Sequence, residues 1–326
     1  MDTFPWLQPL QERITQLATQ RRLPHAMMIS GGAGMGITSW LTWFESYVLC
    51  QHGSLRPCGQ CHACQLHAAG THPDGLRLQP DGKAQLIKVD AVRQVVNFAH
   101  NTAQAGGQKV IVIESAERMN TAAANALLKI LEEPPAGTFL LLQTDDMNAL
   151  LPTIRSRVQR LSFAPPTKEQ SITWLVNKGV NEDTAKLLLA LHYGQPCTGL
   201  AAHEQGILVQ REPWIRALAQ QIRQPMLNTR SLESFLTTEP EVLLRCWTSW
   251  VTDIIRVVQT GSTEGVVNLD MIDQLPRIAE QYPQVQPWFR LYDALQDVTQ
   301  SARLNNNLNW QLLLESFWLR IPSILK

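Results

Sequence analysis

His25-Ala26-Met27-Met28-Ile29-Ser30-Gly31-Gly32-Ala33-Gly34-Met35-Gly36-Ile37-Thr38 joins an apolar run of strand length to a glycine-rich turn. From Thr38 the apolar positions Trp40, Leu41, Tyr47, Val48 and Leu49 continue at helical spacing. Strand, glycine turn and helix in that order form the setting in which backbone amides cradle phosphates. The working form is G-x-x-x-x-G-K-[ST], whose lysine neutralises the outer phosphates and whose hydroxyl holds magnesium. Gly31, Gly36 and Thr38 stand where the form requires them, but Ile37 takes the lysine's place. Isoleucine supplies neither charge nor hydrogen bond. A charge left without its partner in a desolvated site costs about 2–5 kcal/mol, so no ATP is expected at this loop.

Two further buried strands follow, Lys109-Val110-Ile111-Val112-Ile113 and Thr138-Phe139-Leu140-Leu141-Leu142-Gln143. Continuous apolar strands separated by helices predict a parallel sheet covered on both faces. A nucleotide hydrolase places an Asp and then a water-orienting carboxylate after the second strand; this chain has Glu114 and Ser115. Glu114 retains the chemistry to approach a metal, whereas Ser115 lacks the carboxylate. Between these strands, Asn120 to Glu133 reads as a helix with a capping asparagine and a stop at Pro134-Pro135.

Cys50, Cys58, Cys61 and Cys64 form C-x7-C-x2-C-x2-C, four of the chain's six cysteines. Two-residue gaps turn consecutive thiolates toward one centre, and four sulfurs suit a closed structural zinc site. His52, His62, His67 and His72 compete for a ligand position and read as exposed loop residues, and Cys197 and Cys246 read as core.

Lys+Arg and Asp+Glu each number 28 in 326 residues. A protein gripping DNA unaided carries a basic excess, so the expectation is local or delegated DNA contact. No apolar run approaches the roughly 20 residues that span a bilayer, and no secretory leader is evident; the expected location is cytoplasmic, with no membrane partner. After Phe163, Ala164-Pro165-Pro166-Thr167 reads as a linker into a short helix-rich segment. From Gly206 onward the pattern is helical, with Trp247, Trp250, Trp310 and Trp318 either serving assembly or filling the segment's own core.

Several elements together resemble the delta-prime family of bacterial DNA polymerase III clamp-loader subunits, over essentially the whole length. They are Arg22-Leu23-Pro24-His25-Ala26, the cysteine cluster, Gly70-Thr71-His72-Pro73-Asp74, Val89-Asp90-Ala91-Val92-Arg93, Asn125 through Pro135, and Ser156-Arg157-Val158. The resemblance implies an α/β N-terminal AAA+ P-loop domain with a parallel sheet at 1–163, carrying a zinc knuckle at 50–64. It also implies a small helical lid domain at 164–205 and an all-α C-terminal collar domain at 206–326. Ser156, Arg157 and Val158 match a Ser-Arg-Cys motif that supplies an arginine finger to a neighbouring ATP site, with valine for cysteine; Arg155 is the alternative arginine. The lid turn Gly194 to Gly199 lacks the arginine that ATP-hydrolysing members place there. The implied partners are gamma/tau and delta subunits in a hetero-pentamer, with the sliding clamp and primed DNA reached through the complex. The implied role is that of an accessory subunit of a DNA-directed DNA polymerase holoenzyme without its own ATPase. The competing assignments are an ATP-hydrolysing clamp-loader subunit and a zinc-stabilised nucleic-acid-binding module.

Overall fold

The computed structural model describes residues 4–53, 56–81, 86–105, 107–225, 232, 235, 240–304 and 309–325. The chain divides into two compact units, Met1–Gln170 and Ser171–Lys326.

The first unit runs α1 (Gln8–Thr19), β1 (Ala26–Ser30), α2 (Ile37–Leu49), α3 (His62–Ala68), β2 (Gly75–Leu78), α4 (Val89–His100) and β3 (Lys109–Ile113). It continues through α5 (Thr121–Glu132), β4 (Thr138–Thr144), α6 (Pro152–Arg155) and β5 (Gln159–Leu161). The five strands pair in the order β2-β3-β4-β1-β5, every pair parallel. The three strands anticipated from apolar runs are β1, β3 and β4, the three interior positions, where both faces are covered. The edge strands β2 and β5, Gly-Leu-Arg-Leu and Gln-Arg-Leu, carry no such run. An edge is paired on one side only and tolerates polar residues.

Local chemistry fixes the helices that flank this sheet. The Asn120 side chain accepts from the Ala123 amide at 2.8 Å and starts α5, a cap worth about 1 kcal/mol. Lys109 is buried at the start of β3, and its ammonium donates to the carbonyls of Phe98, Ala99 and Asn101 at the end of α4. Cation and exposed helix carbonyls meet there as the helix dipole favours. Asp74, 1% exposed, accepts from the amides of Gln104 and Ala105 at 2.7 and 2.8 Å. The His72-Pro73-Asp74 element is thus a clamp on the loop before β3.

The second unit begins inside α7 (Lys168–Asn177) and continues with α8 (Glu182–Leu191), α9 (Pro196–Glu204), α10 (Ile207–Arg223) and α11 (Pro240–Thr260). It closes with α12 (Leu275–Gln281), α13 (Val285–Leu304) and α14 (Trp310–Ile324). Among its described residues there is no strand. Trp247, Trp250, Trp288 and Trp318 are all buried in one core, with Trp310 packed partly buried against it. The Trp247 indole donates to the Trp214 carbonyl at 2.9 Å and its ring stacks on Phe317. The tryptophans of this half therefore fill its own interior. A polar knot sits beside them: Asp253, 0% exposed, accepts from the Val267 and Asn268 amides and from the Asn268 side chain.

His192, at the end of α8, is buried, and burial together with the nearby Arg245 charge lowers its pKa from 6.5 to about 4. An imidazole neutral in the folded state and protonated at its ordinary pKa when unfolded contributes stability that is present above about pH 6.5 and lost as pH falls toward 4. Urea midpoints measured at pH 7 and pH 5 should therefore fall on acidification in the wild type and fall less in His192→Gln.

Candidate functional site

The C-terminal ends of β1, β3 and β4 gather the glycine loop, Glu114 and Gln143 at one sheet edge. Gly31 donates to the Thr144 carbonyl at 3.0 Å, anchoring the loop to β4. Its φ is 152°, and a Cβ there would lie 3.1 Å from both the Phe163 ring and Ile37. Gly36 has φ 79°, and a Cβ on it would come within 2.8 Å of Phe4. The loop is thus pressed by its own chain. Phe4 lies on Gly36, and the buried Trp6 indole donates to the Met35 carbonyl at 2.8 Å. The turn from Ala33 to Met35 is 3-10, with the Met35 amide bonded to the Gly32 carbonyl at 3.1 Å. Ile37 is 1% exposed; it packs inward, where a phosphate-binding lysine would reach outward. Thr38 is exposed on the first turn of α2.

Gln143 reads in the sequence only as the polar end of a strand. Its side-chain nitrogen donates to the Gly31 carbonyl at 2.9 Å and to Asp145 at 2.8 Å, and its oxygen accepts from the Ser115 amide at 2.7 Å. One amide side chain therefore ties the loop to the second motif. The visible signal was a polar residue closing an otherwise apolar run. Ser115 holds φ 49° and ψ 50°, a left-handed conformation unusual for a residue with a side chain.

Glu114, expected to be able to approach a metal, is engaged by protein groups. Gln79 donates to Oε1 at 2.7 Å, and the Arg77 Nε stands 3.2 Å from the same oxygen. Arg77, on β2, also lies 3.3 Å from Glu45 of α2 and donates to the Thr42 hydroxyl at 3.3 Å. His67 of α3 stands 3.4 Å from the other Glu45 oxygen. An internal guanidinium thus provides the positive charge at this carboxylate pair.

The four cysteines converge. Cys50 follows α2, Cys61 caps α3 and Cys64 lies in its first turn. Their sulfurs lie within 4.8 Å of one another, with Cys50–Cys61 at 4.0 Å and Cys58–Cys64 at 3.9 Å. A tetrahedral metal with sulfur at about 2.3 Å requires edges of about 3.8 Å. The cage already has nearly that size. The His52 amide donates to Cys50 at 3.4 Å and the Cys61 amide to Cys58 at 3.3 Å, as thiolate ligands require. The Cys64 amide lowers the Cys61 thiol to about 6, whereas burial raises Cys64. Three of the four histidines differ from the exposed-loop expectation: His62 is exposed but opens helix α3, and two others are withdrawn from solvent. His72 is buried with Nδ1 accepting from the Asp74 amide, and His67 faces Glu45 from a helix. Both are held by neighbours that a linear pattern cannot place beside them.

Arg157 follows α6 and enters β5. Its Nε donates to Glu132, the last residue of α5, at 2.7 Å, and its Nη1 to the Thr153 carbonyl at 3.0 Å and to Ser156 at 3.2 Å. The side chain stays 35% exposed. Val158 is buried against the core of the sheet, which accounts for an apolar residue there. Arg155 donates to Asn148 at 3.3 Å. Neither arginine is brought to this chain's own loop by a described contact; Arg157 is displayed at the end of α5.

A parallel sheet in this order, a glycine loop after β1 and an acidic residue after β3 define a P-loop domain of the AAA+ type. Residues 7–167 match the family model described as DNA polymerase III, delta subunit. The delta-prime subunit of Pseudomonas aeruginosa is 36% identical over 98% of both chains, and that of Escherichia coli is 38% identical over 67% of this chain and 66% of its own. The chain belongs to the DNA polymerase III delta-prime subunit family. Among solved structures, a DNA polymerase III gamma subunit-related protein from Thermotoga maritima aligns with 98% of this chain and 100% of its own, at 17% identity and a TM-score of 0.47.

Removing the cation from a partly buried ion cluster strands its carboxylates, of which Glu45 is buried. Arg77→Met should therefore cost about 3 kcal/mol, read as a lowered urea midpoint. Adding Glu45→Gln and Glu114→Gln to that variant should restore most of the loss, which an unselective packing defect would not allow.

Proposed function

We propose that this chain serves in a bacterial DNA polymerase III clamp loader as a subunit that turns over no ATP at its own loop and presents Arg157 to the ATP site of a neighbouring subunit. The observation that carries the first half is the replacement of each working part by a protein contact. Ile37 fills the lysine position and packs inward, Phe4 and Trp6 press the loop, and Arg77 neutralises Glu114. The second half rests on Arg157, half-exposed at the end of α5 and restrained by Glu132. An arginine supplied in trans stabilises charge developing during phosphoryl transfer and is worth about 10³–10⁵ in rate in GTPases. Exchange of Glu132 for a phosphate oxygen replaces one charge-assisted hydrogen bond with another.

In this role the partners are gamma/tau and delta subunits, with clamp and primed DNA engaged through the assembled ring. Equal numbers of acidic and basic residues agree with delegated DNA contact. No described helix is long and apolar enough to cross a membrane, in keeping with a cytoplasmic replication machine. Helices α7–α9 act as the lid segment at 164–205 and the remainder as the collar at 206–326. Cys50, Cys58, Cys61 and Cys64 hold a structural zinc, which cross-links the end of α2 to the start of α3.

Reconstitution with the partner subunits tests the reading. Arg157→Ala should assemble normally while DNA- and clamp-stimulated ATPase falls by about 10²-fold or more; unchanged turnover would remove Arg157 from this role. ATP turnover by the isolated chain at the rate of gamma-type subunits would sink the first half. Metal analysis should give about one zinc per chain, and Cys61→Ser should lose it with a lower Tm. Full zinc retention in that variant would exclude the four-sulfur ligand set.

A further inference from the structure

Between α8–α9 and α10–α11, wholly within the second unit, lies a cavity of about 190 Å³. Its apolar wall includes Leu191, Ala202, Ile207 and Cys246. An apolar cavity of about 150 Å³ is enough to hold benzene, so this one has room for a small ring or branched chain. The neutral polar Thr198 and Gln205 also line it, together with three basic side chains, His192, Arg211 and Arg245.

Their bonding is incomplete. Arg211 is fully buried, and its Nη2 donates to Asn268 at 2.9 Å and to Asp270 at 2.8 Å. Its Nε and Nη1, and the Nδ1 of the buried His192, have no hydrogen-bond partner. Buried polar atoms are nearly always satisfied, and an exception calls for a bound water, an ion or strain. Charge points the same way. Arg211 and Arg245 carry two positive charges, and Asp270 returns one. Among the described residues no carboxylate is ion-paired with Arg245. Burial and Arg245 also keep His192 neutral, so one positive charge remains beside an apolar chamber.

We propose that this cavity binds a small monoanionic carboxylate with an apolar body, of about the size of benzoate. The apolar body occupies the Leu191–Ala202–Ile207 wall. The carboxylate takes its bonds from the half-buried Arg245, on the wall that also carries Arg211 with its two spare N–H groups. No part of the AAA+ site is involved. Because the wall is shared between α8–α9 and α10–α11, an occupant braces the first pair of helices against the second.

The test uses the full-length chain and three probes by calorimetry and ligand-observed NMR: benzoate, neutral benzamide and inorganic phosphate. Benzoate should bind saturably at one site, with benzamide and phosphate each weaker by about tenfold or more, the worth of one charge-assisted hydrogen bond. Ala202→Leu, which fills the chamber, and Arg245→Gln, which removes the half-buried charge, should each weaken benzoate by a similar factor while circular dichroism confirms that both variants fold. Absence of saturable benzoate binding, equal binding of benzamide, phosphate binding as tight as benzoate, or unaltered affinity in Ala202→Leu would each overturn the assignment.

Discussion

A parallel sheet buried on both faces has no room for polar chemistry except where its strands end. Here that constraint is imposed by β3, β4 and β1, whose residues pair in register through the centre of the first unit. The Gly31 loop, Glu114-Ser115 and Gln143 leave the sheet at the same edge, and the Gln143 amide bonds to the first two at once. The location of the site follows from this arrangement, as it does in open α/β sheets generally. What differs is the set of groups delivered there. The strand ends still converge as a nucleotide site requires, and the converging groups satisfy one another.

Two substitutions for ATP-site parts illustrate how that self-satisfaction is built. A magnesium-dependent site leaves its carboxylate free to receive a cation from solution. In this chain Glu114 and Glu45 share Arg77, a cation carried on β2. A phosphate-binding loop leaves its amides open, whereas here Phe4 and Trp6 lie against it and one amide bonds within the turn. Both changes replace a ligand-dependent interaction by one present at all times. The contacts that take the place of the ligand are all made within the chain.

Helix α2 connects this site to the cysteine cage. It starts at the glycine loop, ends at Cys50 and spans 13 residues, about 20 Å. Near its far end Glu45 is approached by His67 from α3 and by Arg77 from β2. Cys61 and Cys64 sit at the start of α3, from which His67 faces the Glu45 carboxylate that shares Arg77 with Glu114. Four sulfurs at this spacing are favourable as thiolates only around a cation, because close like charges repel. The cysteine cluster and the polar group around Glu45 both lie at the junction of α2 and α3.

Much of this was legible in the residues themselves. The strand–glycine–helix order, the lysine replaced by Ile37, the spacing of four cysteines, the capped helix after Asn120 and the loss of strand pattern past β5 all rest on local periodicity and on chemistry within a few residues. Such features survive in a linear string because backbone geometry relates near neighbours in a fixed way. The edge strands, the covering of the loop by Phe4 and Trp6, the Arg77 bridge between Glu45 and Glu114, Gln143 as the tie between two motifs, and Glu132 as the restraint on Arg157 were decided by tertiary structure. In each case the partners are separated by about 25 to more than 100 positions, and only the packed sheet brings them within hydrogen-bond distance. The glycine loop was recognisable as a motif missing one charge; the fold alone determined which side chains now occupy and neutralise the space that charge would have served.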